Sequence, residues 1–297
     1  MKANTTFGTA WMHNHLVSIL RYVDVRLLYA FTAVFVIPVC LIINKSRVTA
    51  YRYFRERWGY SKLHAAWSTY VNHCLFGQTV IDRFAMFAGK RFKVTVKGYK
   101  DFSCLADKDE GFMMLSAHVG CYEIAGYTLV ADKKHVNALV YGSEKATVMN
   151  GRKEIFDHTN IRMIPVEHDM SHLFKINEAL SNNEIVSMPA DRVIGSHKVL
   201  EAMFVGKKAK LPMGPFSVAT MRGMEVIAVN VFKTSAMGYT VYVSSLKYDK
   251  TVSRNTQMQQ LADSYAKELE KRLEQYPQQW YNCLLYTSDA ADDSTEV

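Results

Sequence analysis

The sequence lacks any pattern of paired cysteines. Its 297 residues include five cysteines, an odd number, and none stands in a Cys-x-x-Cys or Cys/His zinc spacing. Small disulfide-rich scaffolds are therefore excluded, and a reducing compartment is the simplest interpretation. Internal repeats, low-complexity linkers and shifts in composition between segments are also missing. With 49% hydrophobic residues the chain is neither fibrous nor disordered.

Acidic residues are scarce relative to basic ones. The chain carries 36 Lys and Arg against 28 Asp and Glu, a net charge of +8. Such an excess requires an acidic partner, and nucleic acid, anionic lipid and an acidic protein are the physical candidates. No helix-turn-helix, RNA-recognition or zinc-finger signature accompanies the charge. We therefore expect no nucleic-acid partner.

One uncharged segment, residues 27–44 (LLYAFTAVFVIPVCLIIN), is just long enough to cross a bilayer. Pro38 lies within it and predicts a kink. We expect a membrane anchor that spans or partly inserts, with a buried core helix or a hydrophobic hairpin as the alternative; a signal peptide fits less well. Basic residues follow it and favour a cytoplasmic location for the rest of the chain: Lys45, Arg47, Arg52, Arg55 and Arg57.

The remaining pattern predicts a single α/β domain. Helical spacing over 48–88 indicates two or three helices with breaks at Gly59 and Gly77. Strands are then expected at 91–97, 112–117, 136–141, 184–189, 225–233 and 239–246, and helices at 121–132, 145–157, 170–182, 215–223 and 254–275. This alternation favours a mixed, largely parallel sheet flanked by helices. We divide the chain into an amino-terminal membrane segment (1–47), a catalytic domain (48–283) and a disordered tail, or one foreign to the original gene (284–297).

The most informative segment is 112–126, FMMLSAHVGCYEIAG. An apolar strand ends at Ala117, a turn carries His118 and Gly120, and the next helix carries Glu123. Active sites of α/β domains collect outside the carboxyl ends of strands. Glu123 could hold one imidazole nitrogen of His118, which leaves the other to accept a proton from a hydroxyl or amine. The alternative is a histidine that only packs beside the strand end.

SAHVGCYE resembles the His-x4-Asp/Glu block of glycerolipid and lipid A acyltransferases, in particular the bacterial lauroyl/myristoyl acyltransferases of lipid A biosynthesis. Further blocks resemble that family in the same order, at 141–154, 184–191, 203–216 and 276–282. The resemblance implies transfer of a fatty acyl chain from acyl carrier protein, with acyl-CoA as the alternative donor, to a hydroxyl of a membrane lipid such as a lipid A precursor. It implies no cofactor or metal ion, and a location at the bacterial inner membrane with the catalytic domain facing the cytoplasm.

Residue roles follow from the same resemblance. His118 would be the general base, Glu123 its orienting partner and Arg152 the donor to the oxyanion. Asp191 would position Arg152 or bind the acceptor, and Arg192 would contact phosphate. The residues expected on the substrate side are Asp191, Arg192, Gly120 and Tyr122.

Departures from the family pattern leave the acceptor open. Cys121 and Tyr122 stand where these enzymes usually have Asn-Trp, so aminolipid, glycolipid and polyene lipid acceptors remain alternatives. Two basic clusters could dock the acidic carrier protein or anionic headgroups, the alternative being a solvated face. They comprise Lys207, Lys208 and Lys210, and Lys90, Arg91, Lys93, Lys97 and Lys100.

Other classes of protein fit the sequence less well. His168 and His172, four residues apart, could bind zinc in a hydrolase, but the His-Glu-x-x-His order and a third ligand are absent from the sequence. A membrane-surface binding protein without catalytic activity is the remaining alternative.

Overall fold

The amino-terminal region is helical. The computed structural model describes residues 10–141, 159–166, 169, 171–193 and 198–281. Its first helices are α1 (Ala10–Tyr22), α2 (Val25–Phe31), α3 (Ile37–Ile43), α4 (Ser46–Arg52) and α5 (Lys62–Phe87), with π-helical turns at Thr32–Val36 and Tyr53–Arg57. The segment Val25–Ile43 is long and apolar enough to cross a membrane. The first π-helical turn ends just before α3, where Pro38, which has no N–H to donate, lies in the first turn.

Strands and helices alternate through the rest of the chain. They are β1 (Lys93–Lys97), α6 (Tyr99–Ala106), β2 (Phe112–Ser116), α7 (Glu123–Thr128), β3 (Val136–Tyr141), β4 (Ile161–Val166), α8 (Ser171–Ser181), β5 (Ile185–Pro189), β6 (Val199–Phe204), β7 (Lys207–Pro212), α9 (Met213–Met221), β8 (Glu225–Ser235), β9 (Gly238–Leu246) and α10 (Arg254–Leu273). A 3-10 turn, Pro277–Gln279, follows.

The central sheet has seven strands in the order β1-β9-β8-β2-β5-β3-β4. All neighbours are parallel except β8 and β9, which pair antiparallel. A separate antiparallel hairpin, β6–β7, packs outside this sheet. The predicted fold class, a mixed and largely parallel sheet flanked by helices, is confirmed.

Both faces of the sheet are covered. Along β2, Met113 and Leu115 enter one apolar cluster, while Phe112 and Met114 enter the other. The first cluster is closed by α8, α9, α10 and the hairpin; the second is closed by α1, α2, α5, α6 and α7. A strand buried on both faces reads as a continuous apolar run, which is why FMMLS was recognisable as a strand.

The amino-terminal helices pack on the sheet domain. Leu20 and Val25 are fully buried in the second cluster. Gly59, with φ of 66°, ends the helical region before α5, as predicted. The break predicted at Gly77 is wrong, because α5 runs through it: a Cβ there would lie 3.2 Å from Thr32, so the glycine lets the apolar helix approach. The domain boundary at residue 47 stays a prediction, and the helix predicted at 145–157 and the 284–297 tail lie outside the described residues.

Candidate active site

The candidate site lies at the carboxyl end of β2, near the middle of the sheet. β2 ends at Ser116 and the chain turns through His118 into α7. β5 is a parallel neighbour of β2 and is followed by Asp191. The N–H of Ala190 donates to the carbonyl of Ser116 at 2.9 Å, which continues the pairing one step beyond the strands. Parallel neighbours end at the same edge, so the side chains of His118 and Asp191 meet there.

His118 and Asp191 form a two-point contact. The backbone N–H of His118 donates to Oδ2 of Asp191 at 2.9 Å, and Nδ1 of the ring lies 2.7 Å from Oδ1. An ionised carboxylate only accepts hydrogen bonds, so Nδ1 carries the proton. In the neutral imidazole this leaves the lone pair on Nε2, the arrangement that a general base needs. The His118 side chain is 29% exposed, whereas that of Asp191 is fully buried.

Ionisation of Asp191 is stabilised by its surroundings. Burial acts to raise the pKa of this carboxyl, but the charge and hydrogen bonds of His118 and the indole N–H of Trp280 outweigh burial and hold it below the usual value. Trp280 Nε1 donates to Oδ2 at 3.0 Å. The carboxylate therefore remains charged at neutral pH and can stabilise an imidazolium on His118.

The structure corrects the predicted role of Glu123, because Asp191 occupies Nδ1 of His118. Glu123 is buried at the start of α7, where Oε1 lies 2.6 Å from Nε of Arg83 on α5 and Oε2 accepts from Sγ of Cys121 at 3.5 Å. A carboxylate in the first turn of a helix also interacts favourably with the helix dipole. Glu123 thus ties α7 to α5.

The carboxylate of Asp191 has no exposed surface, which argues against the predicted contact with the acceptor. The role predicted for it in positioning Arg152 involves a residue outside the described part of the chain. Arg192 is half-buried, and its buried Nε has no hydrogen-bond partner among the described residues. Its contact with phosphate stays a prediction.

Gly120 lets the backbone of the His118 turn lie close to β8, and its predicted contact with substrate stays a prediction. Its φ is 49°, in the left-handed region, and a Cβ would lie 2.0 Å from the carbonyl oxygen of Val231 on β8. Any side chain would push the His118 turn away from the sheet. Tyr122 is 38% exposed, and the guanidinium of Arg83 lies 5.6 Å from the centre of its ring. Its contact with substrate stays a prediction.

Two residues of the site were not predicted, Arg83 and Trp280. Trp280 stands in the block 276–282, whose only signal was its resemblance to the family. Arg83 stands in a helix that carried no chemical signal. The zinc alternative rests on His168, which lies outside the described residues, and within the described ranges no three His, Cys, Asp or Glu side chains cluster as metal ligands.

A histidine oriented by a buried carboxylate at the end of a central strand defines a general-base site on an α/β scaffold. The sequence profile of the family described as bacterial lipid A biosynthesis acyltransferase matches residues 85–282. The chain belongs to this family and is an acyltransferase. The 1-acyl-sn-glycerophosphate (LPA) acyltransferase PlsC from Thermotoga maritima is similar in structure, with a TM-score of 0.41 and 13% identity over 92% of this chain and 100% of that one. No protein of curated function matches the chain significantly.

Proposed function

We propose that the protein transfers a fatty acyl chain from the thioester of acyl carrier protein to a hydroxyl of a membrane lipid such as a lipid A precursor. The observation that carries this proposal is the His118–Asp191 contact, which leaves Nε2 of a partly exposed imidazole as a base. No cofactor is needed, because the thioester itself supplies the activated acyl group. Acyl-CoA would serve as the alternative donor by the same chemistry.

In the proposed reaction, His118 takes up one proton and returns it. Nε2 of His118 takes the proton of the acceptor hydroxyl as its oxygen attacks the thioester carbonyl carbon. The new C–O bond gives a tetrahedral oxyanion, for which Arg152 is the donor that the family resemblance implies. Collapse breaks the C–S bond, and the imidazolium returns its proton to the departing thiolate. Asp191 stays ionised throughout and stabilises the imidazolium.

Of the two residues that depart from the family pattern, Cys121 and Tyr122, only one is placed to contact an acceptor. Cys121 is fully buried, and burial raises the pKa of its thiol well above the usual value. It has no surface with which to meet a lipid. Tyr122 is exposed beside Arg83, so the acceptor preference is expected to depend on that aromatic ring. Aminolipid, glycolipid and polyene lipid acceptors remain the alternatives to a lipid A precursor.

The basic clusters supply a docking surface for the acidic carrier protein. The β6–β7 hairpin, with exposed Lys207 and Lys208, adjoins the site, since the ring of Phe204 lies 5.1 Å from that of Trp280. The second cluster lies around β1, the edge strand next to β9. Lys93 pairs with Gly238, and Lys97 pairs with Tyr242, which itself pairs with Asn230 of β8, so both lysines lie level with or beyond the end of β2 that leads to His118.

Membrane association follows from the exposed apolar side chains of the helical hairpin formed by α2–α3 and α5. We propose that this surface lies in the cytoplasmic leaflet of the bacterial inner membrane, with the catalytic domain in the cytoplasm. Its exposed residues include Leu27, Phe31, Val34, Phe35, Ile42 and Ile43, with Leu63, Trp67 and Phe76 on α5. A site beside this surface would receive a lipid acceptor directly from the bilayer.

The function is tested with purified protein, acyl carrier protein loaded with a fatty acid, and a lipid A precursor. His118→Ala is expected to lower turnover by about 10²–10⁴-fold, the usual contribution of a general base, without changing the circular dichroism spectrum. His172→Ala is the matched control, because His172 lies on α8 and belongs only to the zinc alternative; it should retain activity. Near-wild-type turnover by His118→Ala would exclude this mechanism. Mass spectrometry of lipids from a deletion strain identifies the missing chain and its acceptor.

A further inference from the structure

We infer that the C-terminal strap, residues Pro277–Tyr281, is a positioning element of the active site, in which the indole of Trp280 fixes the Asp191 carboxylate for His118. The inference rests on the proposed function and adds a positioning residue to it. Trp280 touches neither substrate nor reacting atoms; it acts through Asp191.

The strap is hydrogen-bonded to the backbone of the turn that carries His118. Trp280 forms an isolated antiparallel β-bridge with Val119. The N–H of Tyr281 donates to the carbonyl of His118 at 2.9 Å, and the N–H of Gly120 donates to the carbonyl of Gln279 at 3.4 Å. The backbone of the turn between β2 and α7 is thus hydrogen-bonded to the strap along one side, as a strand is to its neighbour.

Side chains from two other elements hold the strap in place. Gln279 is buried and bonds both backbone groups of Lys233 on β8, accepting from its N–H and donating to its carbonyl, each at 2.8 Å. Asn72 on α5 donates to the carbonyls of Gln278 and Trp280 at 2.8 and 3.0 Å. An amide side chain that satisfies a backbone N–H and C=O pair takes the place of a strand neighbour. The strap is therefore fixed to the sheet and to α5 independently of the site.

Trp280 completes the environment of the carboxylate. Its indole N–H and the backbone N–H of His118 both donate to Oδ2 of Asp191, at 3.0 and 2.9 Å. With Oδ2 held by two donors, Oδ1 is left facing Nδ1 of the imidazole. Removing the indole donor would leave a buried carboxylate with one fewer hydrogen bond, which weakens the constraint on its rotation and disfavours its charge.

Trp280→Phe is the appropriate test, because it removes the N–H and keeps an aromatic ring against Tyr53 and Phe204. A smaller side chain would also open the small apolar pocket that Trp280 lines with Leu211 and Leu269. We expect kcat to fall roughly tenfold to a hundredfold, the effect of one hydrogen bond to a charged group, with KM for donor and acceptor nearly unchanged.

Trp58→Phe is the matched control. The Trp58 indole also packs on Tyr53, with ring centres 6.3 Å apart, but its buried Nε1 has no hydrogen-bond partner in the part of the chain that the structure describes. This variant loses an indole N–H and aromatic volume without losing a bond to a carboxylate. Its kcat should remain within about twofold of wild type.

A double-mutant cycle separates positioning from packing. If Trp280 acts through Asp191, Trp280→Phe should lower kcat little further in an Asp191→Asn background. A full additional loss there would overturn the inference, as would a wild-type kcat in Trp280→Phe alone. The proton on Nδ1 of His118 gives a readout without substrate: its NMR resonance should shift in Trp280→Phe and not in Trp58→Phe. An inactive wild-type enzyme with an intact, Trp280-dependent resonance would refute the proposed function and leave the strap's role standing.

Discussion

At the scale of single residues, the site contains two buried carboxylates in different environments. Asp191 accepts hydrogen bonds from His118 and Trp280, whereas Glu123 lies against the guanidinium of Arg83. A charged partner stabilises the imidazolium during proton transfer, whereas an ion pair between two elements holds those elements together. Substitution of the two carboxylates should therefore have different consequences.

Asp191→Asn is expected to lower kcat by about 10²–10⁴-fold at pH 7, because the amide carries no charge to stabilise the imidazolium and can present its NH2 to Nδ1. Steady-state kinetics with saturating donor measure this effect. The pKa of Asp191 is lowered on folding, so its ionisation stabilises the wild-type fold above the pKa of about 4 of an unfolded aspartate. That contribution is lost as the pH falls through the depressed folded-state pKa. The unfolding free energy of Asp191→Asn should depend less on pH in this acidic window.

Glu123→Gln serves as the comparison. It should lower the free energy of unfolding by leaving the Arg83 charge partly uncompensated. The loss of unfolding free energy in the double variant with Arg83→Met should not exceed the sum of the losses in the two single variants. A strong coupling in kcat between Glu123→Gln and Asp191→Asn would instead return the orienting role to Glu123.

The sequence predicts His118 as the candidate base because a histidine in a strand-to-helix turn is a local signal. Its partner is set by sheet order, which places β5 beside β2. A single sequence does not reveal that order, so it points to the nearest carboxylate along the chain, Glu123, whereas the carboxylate in contact with Nδ1 lies 73 residues away. The contribution of Trp280 depends on a third segment and is equally non-local.

At the scale of elements, the weakness of a purely local signal also explains which strands the sequence did not predict. The predicted strands at the centre of the sheet are confirmed because their apolar runs are buried on both faces. β4 is an edge strand with Pro165 in its sequence, a residue that edge strands tolerate but that weakens a strand signal. The β6–β7 hairpin turns through Val205 and Gly206, both with positive φ. Its second strand is rich in lysine and resembles a loop.

A buried polar cluster joins four elements at the edge of the sheet that holds the site. Lys233 on β8 pairs with Asp82 on α5, which also accepts hydrogen bonds from Tyr29 on α2 and Tyr239 on β9. Burial raises the pKa of Asp82 and lowers that of Lys233, since each charge is costly there without the other. The cluster fixes the first turns of the apolar helix to the sheet.

Lys233→Met is expected to lower the free energy of unfolding by about 3–5 kcal/mol, because Asp82 is left buried without its cation. The double variant Lys233→Met/Asp82→Leu should recover much of this loss. The exposed pair Lys250–Glu225, 2.6 Å apart, is the control: Lys250→Met should cost about 0–1 kcal/mol. Chemical denaturation of the three variants decides the matter. Equal losses for the single and double variants would show that packing, and not charge, holds this junction.

At the scale of the whole molecule, the apolar surface and the site lie on one side. The helical hairpin of α2–α3 and α5 is antiparallel, as shown by the contacts of Tyr29 with Asp82 and of Ser46 with His73. Phe76 on its exposed face packs against Tyr281 in the C-terminal strap, with ring centres 5.2 Å apart. The surface that we assign to the membrane therefore adjoins the C-terminal strap, which contacts both His118 and Asp191.

The membrane surface predicts which substitutions release the protein from lipid. Phe35→Asp and Ile42→Asp, at side chains 62% and 75% exposed, should weaken flotation with vesicles of phosphatidylglycerol and phosphatidylethanolamine. Phe174→Asp is the control, because Phe174 is 79% exposed on α8, which covers the opposite face of the sheet. Equal flotation by all three variants would exclude the hairpin as the contact.

If the apolar segment Val25–Ile43 inserts from one side of the membrane, both of its ends lie on that side. If it crosses the membrane, its ends lie on opposite sides. Val25 and Tyr29 are buried against the sheet domain, so the first turns of this helix cannot separate from that domain while the fold is intact. In a cysteine-free background, Tyr22→Cys and Lys45→Cys should both react with a membrane-impermeant maleimide in inside-out vesicles and neither should react in intact spheroplasts. Labelling of Tyr22→Cys from outside would show that the segment spans. The contacts of Val25 and Tyr29 with the sheet would then have to open in the membrane.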